Sequence, residues 1–274
     1  MSKLIAITGK GGVGKTTVSA LIIKNLLAAG KTPVLAIDAD PNSCLDAALG
    51  VCVIDTVGRA REEVRTAVGA GGSSVGGASG AGGASSVGVN ISKRELLRLK
   101  LESALVESKG FDLIAMGRPE GEGCYCYANN VLKEVIAEIS SQYPYVVLDN
   151  EAGLENLSRR IIQKVDLMVM ASDASNAGLE TLLRLYDLAR EMKMAYAKLA
   201  LVINKLRSGS NGEARLPARI AEIREKTGAD MVIGLPDNGE IAAFAEASRN
   251  FLEIPESNIV YKKVGELIKI ENGK

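Results

Sequence analysis

The chain reads as an α/β protein whose doubly wound, mostly parallel sheet is flanked by helices. Three observations predict this. Short apolar runs alternate with helical patterns along the 274 residues. Several runs are continuously apolar rather than alternating, as strands buried on both faces require. The first run, Leu4–Ile7, leads through a glycine-rich string into a helical pattern, the strand–loop–helix unit of phosphate-binding folds.

The elements follow in order. Strands are expected at Leu4–Ile7, Val34–Ile37, Leu113–Met116, Tyr145–Leu148, Leu167–Met170, Leu199–Ile203 and Met231–Ile233. Thr16–Ala29 reads as the first helix, with Gly30 as its C-cap. Ser92 and Glu95 form a capping-box signature ahead of Leu96, Leu97, Leu99 and Leu101. Further helices are expected around Val131–Ile139, Leu179–Met192, Pro217–Lys226 and Ile241–Ala247, with a packed terminal helix over Tyr261–Ile268. No internal repeat is visible, and the expectation is one domain over residues 1–274. Gly69–Val89 contains only Gly, Ala, Ser and Val. Such a stretch buries too little surface to offset its ordering entropy, so it reads as a flexible loop, engineered or of uncertain sequence, to which no chemistry is assigned.

Composition narrows the function. The apolar fraction is 47% and the formal net charge is zero. A neutral balance argues against broad nucleic-acid binding, which needs a basic face. No run approaches the ~20 apolar residues that cross a bilayer, and no signal peptide is visible, so a cytoplasmic protein without membrane partners is expected. There are four cysteines and no histidine. A soft-metal site must therefore draw on Cys44, Cys52, Cys124 or Cys126, and a structural disulfide is not expected where thiols stay reduced.

Gly9-Lys10-Gly11-Gly12-Val13-Gly14-Lys15-Thr16 fits G-x-x-x-x-G-K-[ST], the P-loop of nucleoside triphosphatases, and Thr17 completes the string GKGGVGKTT. The glycines let successive backbone N–H groups turn toward a phosphate chain. The helix N-terminus adds partial positive charge, Lys15 meets the outer phosphates, and Thr16 can bind Mg²⁺. Lys10 is a second lysine that the nucleotide of its own subunit does not need; its plain reading is a solvated loop residue. The second strand ends in Asp38-Ala39-Asp40-Pro41, where a carboxylate faces the phosphate loop and can bind a Mg²⁺ water or orient an attacking water. Tyr145–Leu148 ends in Asp149, with Gly153 four residues on, which reads as a Walker B carboxylate and a switch II glycine able to touch a γ-phosphate. Asn204-Lys205 closes another strand and resembles the base-binding Asn-Lys of many P-loop proteins; the alternative is two polar residues leaving a buried strand.

The loop Gly117-Arg118-Pro119-Glu120-Gly121-Glu122-Gly123-Cys124-Tyr125-Cys126 follows a predicted strand. In an extended segment residues i and i+2 point the same way, so Cys124 and Cys126 can present two sulfurs to one point. Two thiolates do not complete a four-coordinate soft metal, but a twofold dimer supplies four. Tetrahedral S₄ suits Zn²⁺ or an iron–sulfur centre, and square-planar S₄ suits Ni²⁺. The plain alternative is two small buried hydrophobes bracketing a tyrosine. Cys44 and Cys52 read as buried structural thiols.

The strings GKGGVGKTT, DADPNSCL, GRPEGEGCYCYANN and LVINK together resemble the CooC-type ATPases that insert nickel while maturing carbon monoxide dehydrogenase and acetyl-CoA synthase. These belong to the deviant P-loop family that includes nitrogenase iron protein and the septum-site and partition ATPases. The resemblance implies ATP/ADP and Mg²⁺ as ligands and a homodimer in which Lys10 reaches the partner's phosphates. It implies that Asp40 is the switch I residue positioning water, with Asp38 the lesser candidate. It also implies a nickel–iron–sulfur enzyme as client and an intersubunit Ni²⁺ or Zn²⁺ site at Cys124 and Cys126. Two alternatives stay open: a redox protein with a bridging iron–sulfur cluster, and a partition or positioning ATPase. The nitrogenase iron-protein pattern itself fails, because no cysteine follows Cys126.

Overall fold

The computed structural model describes residues 2–40, 44–70, 92–117, 126–151, 153, 165–207 and 215–271. Its strands are β1 (Lys3–Gly9), β2 (Val34–Asp38), β3 (Val106–Ser108), β4 (Phe111–Ala115), β5 (Tyr145–Asp149), β6 (Val165–Asp173), β7 (Tyr196–Leu206) and β8 (Met231–Pro236). They form one sheet in the order β3-β4-β2-β5-β1-β6-β7-β8. Every pairing is parallel except β3 with β4 at one edge. The chain runs outward from β1 to β4, returns to insert β5 beside β1, and leaves on the other side through β6 to β8. All seven expected strands are present, several of them longer than the apolar run that predicted them.

The helices are α1 (Lys15–Ala28), α2 (Leu45–Leu49), α3 (Val57–Ala70), α4 (Lys93–Ser103), α5 (Cys126–Ser141), α6 (Asn176–Glu191), α7 (Ile220–Thr227), α8 (Gly239–Glu246) and α9 (Ile259–Glu271). Side chains alternate across each strand, so neighbours in sequence feed two different cores. Ile5, Ile7, Val34, Ala36, Leu167 and Val169 pack with Leu21 and Leu26 of α1, Leu45 of α2, Phe244 of α8 and Val264 and Leu267 of α9. Leu4, Ala6, Leu35, Ile37, Met168 and Met170 pack with Ala60 of α3, Leu101 of α4, Ile136 of α5, Leu182 of α6 and Ile223 of α7. This is why the central strands carry nearly continuous apolar runs: both faces are covered.

α1 begins one residue before the expected Thr16 and ends one before Ala29. Its end is closed by Gly30, whose N–H donates to the Leu27 carbonyl (3.0 Å) while Lys31 N–H reaches Leu26 (3.0 Å). The Ser92 hydroxyl accepts from Glu95 N–H (3.2 Å), the cap that the sequence predicts for α4. Gly69 and Ala70 form the end of α3; the remainder of the expected loop, 71–89, lies outside the described residues. Among the described residues, no helix is long and apolar enough to cross a membrane.

Candidate functional site

Parallel register brings the predicted site residues to one edge of the sheet. Asp38 pairs with Asp149, Gly9 with Ala171, and Asp173 with Asn204. The phosphate loop therefore emerges from β1 between the β5 carboxylate and the ends of β6 and β7. Gly9 is required by this crowding: a Cβ there would lie 2.2 Å from the Ala171 carbonyl oxygen. Gly14 has φ 91° and caps α1, and a Cβ on it would lie 2.5 Å from Asn204 Nδ2.

Within the loop, Lys15 is 8% exposed and its Nζ donates to the Lys10 carbonyl (3.3 Å). Val13 is buried, Gly14, Thr16 and Thr17 are half-buried, and Lys10, Gly11 and Gly12 are exposed. Lys10 lies on the outer rim, where its charge acts on Asp173.

The acidic side of the site has two distinct roles. Asp149 is 1% exposed, and burial pushes its carboxyl up to about 7 against an opposing hydrogen bond from the Thr16 hydroxyl, while the Asp38 charge raises it further. Its Oδ1 is buried without a hydrogen-bond partner. Asp38 is equally buried and pushed up to about 6 by burial, opposed by two backbone hydrogen bonds. Its oxygens accept from Asp40 N–H (3.0 Å) and Leu45 N–H (2.9 Å). Asp38 thus ties the residues just after β2 to the start of α2, and its lone pairs are engaged there. Asp40 is half-buried beside it, and residues 41–43 lie outside the described residues.

The segment after β5 is anchored to β1. Asn150 donates from its backbone N–H (3.1 Å) and from Nδ2 (2.9 Å) to the Ile7 carbonyl. Thr8 Oγ1 donates to the Gly153 carbonyl (2.5 Å), holding that glycine at φ 116° next to the phosphate loop.

Asn204 and Lys205 meet the phosphate loop from the other side. Asn204 Nδ2 donates to the Val13 carbonyl (2.8 Å), and Lys205 Nζ donates to the Gly12 carbonyl (3.0 Å). These donors brace the loop's backbone. Sequence reading missed Asp173, at the end of β6. A hydrogen bond from the Ser175 hydroxyl holds its carboxyl below the usual range, and the Lys10 and Lys205 charges add to this. Its partners are Ser175 N–H (2.8 Å) and the Ser175 hydroxyl, which itself caps α6 by accepting from Gly178 N–H (3.0 Å). The signal available was its position: an acid at a strand's carboxyl end, as for Asp38 and Asp149.

The cysteines divide differently from expectation. Cys44 and Cys52 are exposed, not buried. Cys44 stands at the N-terminus of α2, and Cys52 lies in the connection from α2 to α3, so neither faces a core layer. Partial burial and the surrounding carboxylates, Asp38 and Asp40 first, raise the Cys44 thiol. Cys126 is the first residue of α5. Cys124 and the rest of the loop 118–125 lie outside the described residues, and so does the expected pairing of its sulfur with that of Cys126. Gly117, the last described residue before them, packs so closely on Thr56 that a Cβ would lie 2.6 Å from its Oγ1.

A loop of turned N–H groups, a lysine held inside it and a buried carboxylate beside its threonine form a site for a nucleoside triphosphate. Comparison with known proteins agrees. The profile of the CobQ/CobB/MinD/ParA nucleotide binding domain matches residues 4–250. An uncharacterized ATP-binding protein of Methanocaldococcus jannaschii is 39% identical over 272 residues, covering 99% of each chain. The carbon monoxide dehydrogenase accessory protein CooC of Rhodospirillum rubrum is 29% identical over 216 residues, 74% of each chain. The septum site-determining protein MinD of Pyrococcus horikoshii, solved with Mg-ADP, superposes with a TM-score of 0.62 at 16% identity, covering 100% of this chain and 97% of that one, and shares the fold. Together the profile match, the near full-length relative and the site geometry establish that the chain belongs to the CobQ/CobB/MinD/ParA nucleotide-binding family and is a P-loop ATPase.

Proposed function

We propose that this ATPase works as a homodimeric metallochaperone that inserts nickel into carbon monoxide dehydrogenase or acetyl-CoA synthase. The observation that carries the reading is the string GRPEGEGCYCYANN, placed directly after β4. β4 pairs with β2 in the register Asp38 to Ala115, so the cysteine loop leaves the sheet beside the strand whose end bears Asp38 and Asp40. Similarity to the CooC accessory protein supports the same client class.

ATP would lie along Gly9–Thr17, with Lys15 released from the Lys10 carbonyl to meet the outer phosphates. The residues present fit Mg²⁺: Asp149 offers a buried oxygen with no partner, and the Thr16 hydroxyl lies against the same carboxylate. Bound there, Mg²⁺ would neutralise charge on the phosphate oxygens. Asp40 would orient the attacking water, and the Gly153 N–H would sense the γ-phosphate. Lys10 would cross to the partner's phosphates. Asn204 and Lys205 remain proposed contacts of the adenine, made from a base that also braces Gly12 and Val13. Closure of the dimer would change the spacing of two Cys124 and two Cys126 thiolates. Only ~1.4 kcal/mol of that coupling shifts metal affinity tenfold.

The test is metal content after anaerobic purification, with and without ATP. Wild-type dimer is expected to hold Ni²⁺ or Zn²⁺, and the double variant Cys124→Ala, Cys126→Ala to lose it. Unchanged stoichiometry rejects the chaperone reading. A broad visible absorption band with acid-labile sulfide would replace it with the iron–sulfur alternative.

A further inference from the structure

Ser19 is fully buried in α1, whose other buried positions are apolar except for Lys15. Its hydroxyl makes no hydrogen bond of ordinary geometry, although it lies close enough to the Asp149 carboxylate to favour its charged form. This is not how hydroxyls inside helices usually settle, although the Ser140 hydroxyl near the end of α5 is unpartnered too. Such groups commonly donate back to the carbonyl four residues earlier. Thr181 does so to Ala177 (2.8 Å) and Thr227 to Ile223 (2.8 Å). Ser19 leaves the Lys15 carbonyl alone.

The nearest explanation lies across the packing of α1 on β5. Ser19 follows Thr16 by three residues, so the two side chains stand one above the other on the same helix face. Thr16 already hydrogen bonds to Asp149, and the Ser19 hydroxyl also acts on that carboxylate, favouring its charged form. Asp149 Oδ1 is the second buried polar atom here without a partner. The Ser19 hydroxyl and Asp149 Oδ1 thus adjoin in the interior beneath the phosphate loop with no well-formed hydrogen bond to either. Leaving both there is destabilising, and such a cost calls for an explanation.

We propose that Ser19 is a positioning residue for the divalent-cation site: its hydroxyl supports Asp149 from below, so that the carboxylate presents an oxygen beside Thr16 when cation and nucleotide bind. The inference rests on the Mg²⁺ reading of Thr16 and Asp149 given above. Ser19 touches neither nucleotide nor metal; it acts through Asp149, as outer hydrogen-bonding partners act on metal ligands elsewhere.

The experiment uses the full chain with ADP and Mn²⁺ in place of Mg²⁺, reading free Mn²⁺ by electron paramagnetic resonance. Ser19→Ala is expected to weaken Mn²⁺ binding to the ADP complex by about 10-fold or more. ADP affinity in EDTA should stay within about twofold, because the phosphate loop is untouched. The unfolding temperature of the nucleotide-free protein should hold or rise, since alanine removes an unpartnered hydroxyl. Ser19→Thr, which keeps the hydroxyl, should restore Mn²⁺ affinity. Equal Mn²⁺ affinity in wild type and Ser19→Ala overturns the inference, and so does a parallel loss of metal-free ADP binding or of thermal stability, which would mark Ser19 as a packing residue. If wild type itself shows no ADP-dependent Mn²⁺ binding, the Mg²⁺ reading of Thr16 and Asp149 is what fails.

Discussion

Asp149 holds a carboxylate in the interior, where the Thr16 and Ser19 hydroxyls and the Lys15 charge oppose its desolvation. Its folded carboxyl titrates near 7, above the unfolded value of 3.8. Between those values the folded state binds the extra proton, so stability falls as pH rises through that window and levels off above it. The slope is at most about 1.4 kcal/mol per pH unit for one such group. Asp38, raised to about 6, adds a smaller effect of the same sign. In EDTA without nucleotide, Asp149→Asn should therefore be more stable than wild type, by a margin that opens from pH 4 to pH 7. Thermal melts of both proteins across that range check it; a constant margin would mean that Asp149 stays charged throughout. The ATPase accepts this cost because the same buried charge is what a cation would find.

At the scale of elements, α2 links the end of β2 to the segment around Asn250. Asp38 accepts from Leu45 N–H at its start, and Gly50 closes its end. Gly50 has φ 68°, and a Cβ there would lie 2.6–2.8 Å from the Asn250 side chain, which caps the turn Phe251–Glu253. Gly50→Ala should cost about 1–2 kcal/mol, combining left-handed strain with the clash. Gly239→Ala is the control: nothing lies within 4 Å of its Cβ and α8 begins there, so it should be neutral or slightly stabilising. Urea unfolding of the two variants separates them; equal midpoints would show that Asn250 moves aside freely. Two short elements, and the longer α3 over Val57–Ala70, were hidden from the sequence. β3 spans only Val106–Ser108 and has no apolar run, because an edge strand is covered on fewer sides. α2 is five residues long, too short for a helical period to repeat. α1, β1 and β5 were legible because central elements are buried on every side.

For the whole molecule, the decisive question is what Lys10 meets. It is exposed on the rim of the phosphate loop, with Asp173 and Lys205 as charged neighbours. If it completes the partner's site, Lys10→Ala should still bind a non-hydrolysable ATP analogue but dimerise about tenfold or more weakly, the worth of a charge-assisted hydrogen bond. Sedimentation with the analogue measures this; an unaltered dimer would return Lys10 to the solvated reading. Asp173 lies three residues beyond the strand expected at Leu167–Met170, and the pairing of β6 with β1 and with β7 brings it toward Lys10 and Lys205.

By itself the sequence determined the fold class, the phosphate loop and the strand-end carboxylates. These follow from local rules: burial of both sheet faces demands continuous apolar strands, and a phosphate demands glycine, lysine and threonine at set spacing. Tertiary structure alone decided how the carboxylates differ. Asp38 is consumed by two backbone N–H groups, while Asp149 keeps an oxygen unpaired, although both are buried at the ends of parallel strands. It also decided that Asn204 and Lys205 brace the loop, that Cys44 and Cys52 face outward, and that Ser19 lies against Asp149. Each depends on which residues from distant segments meet across the sheet, and no local pattern encodes that meeting.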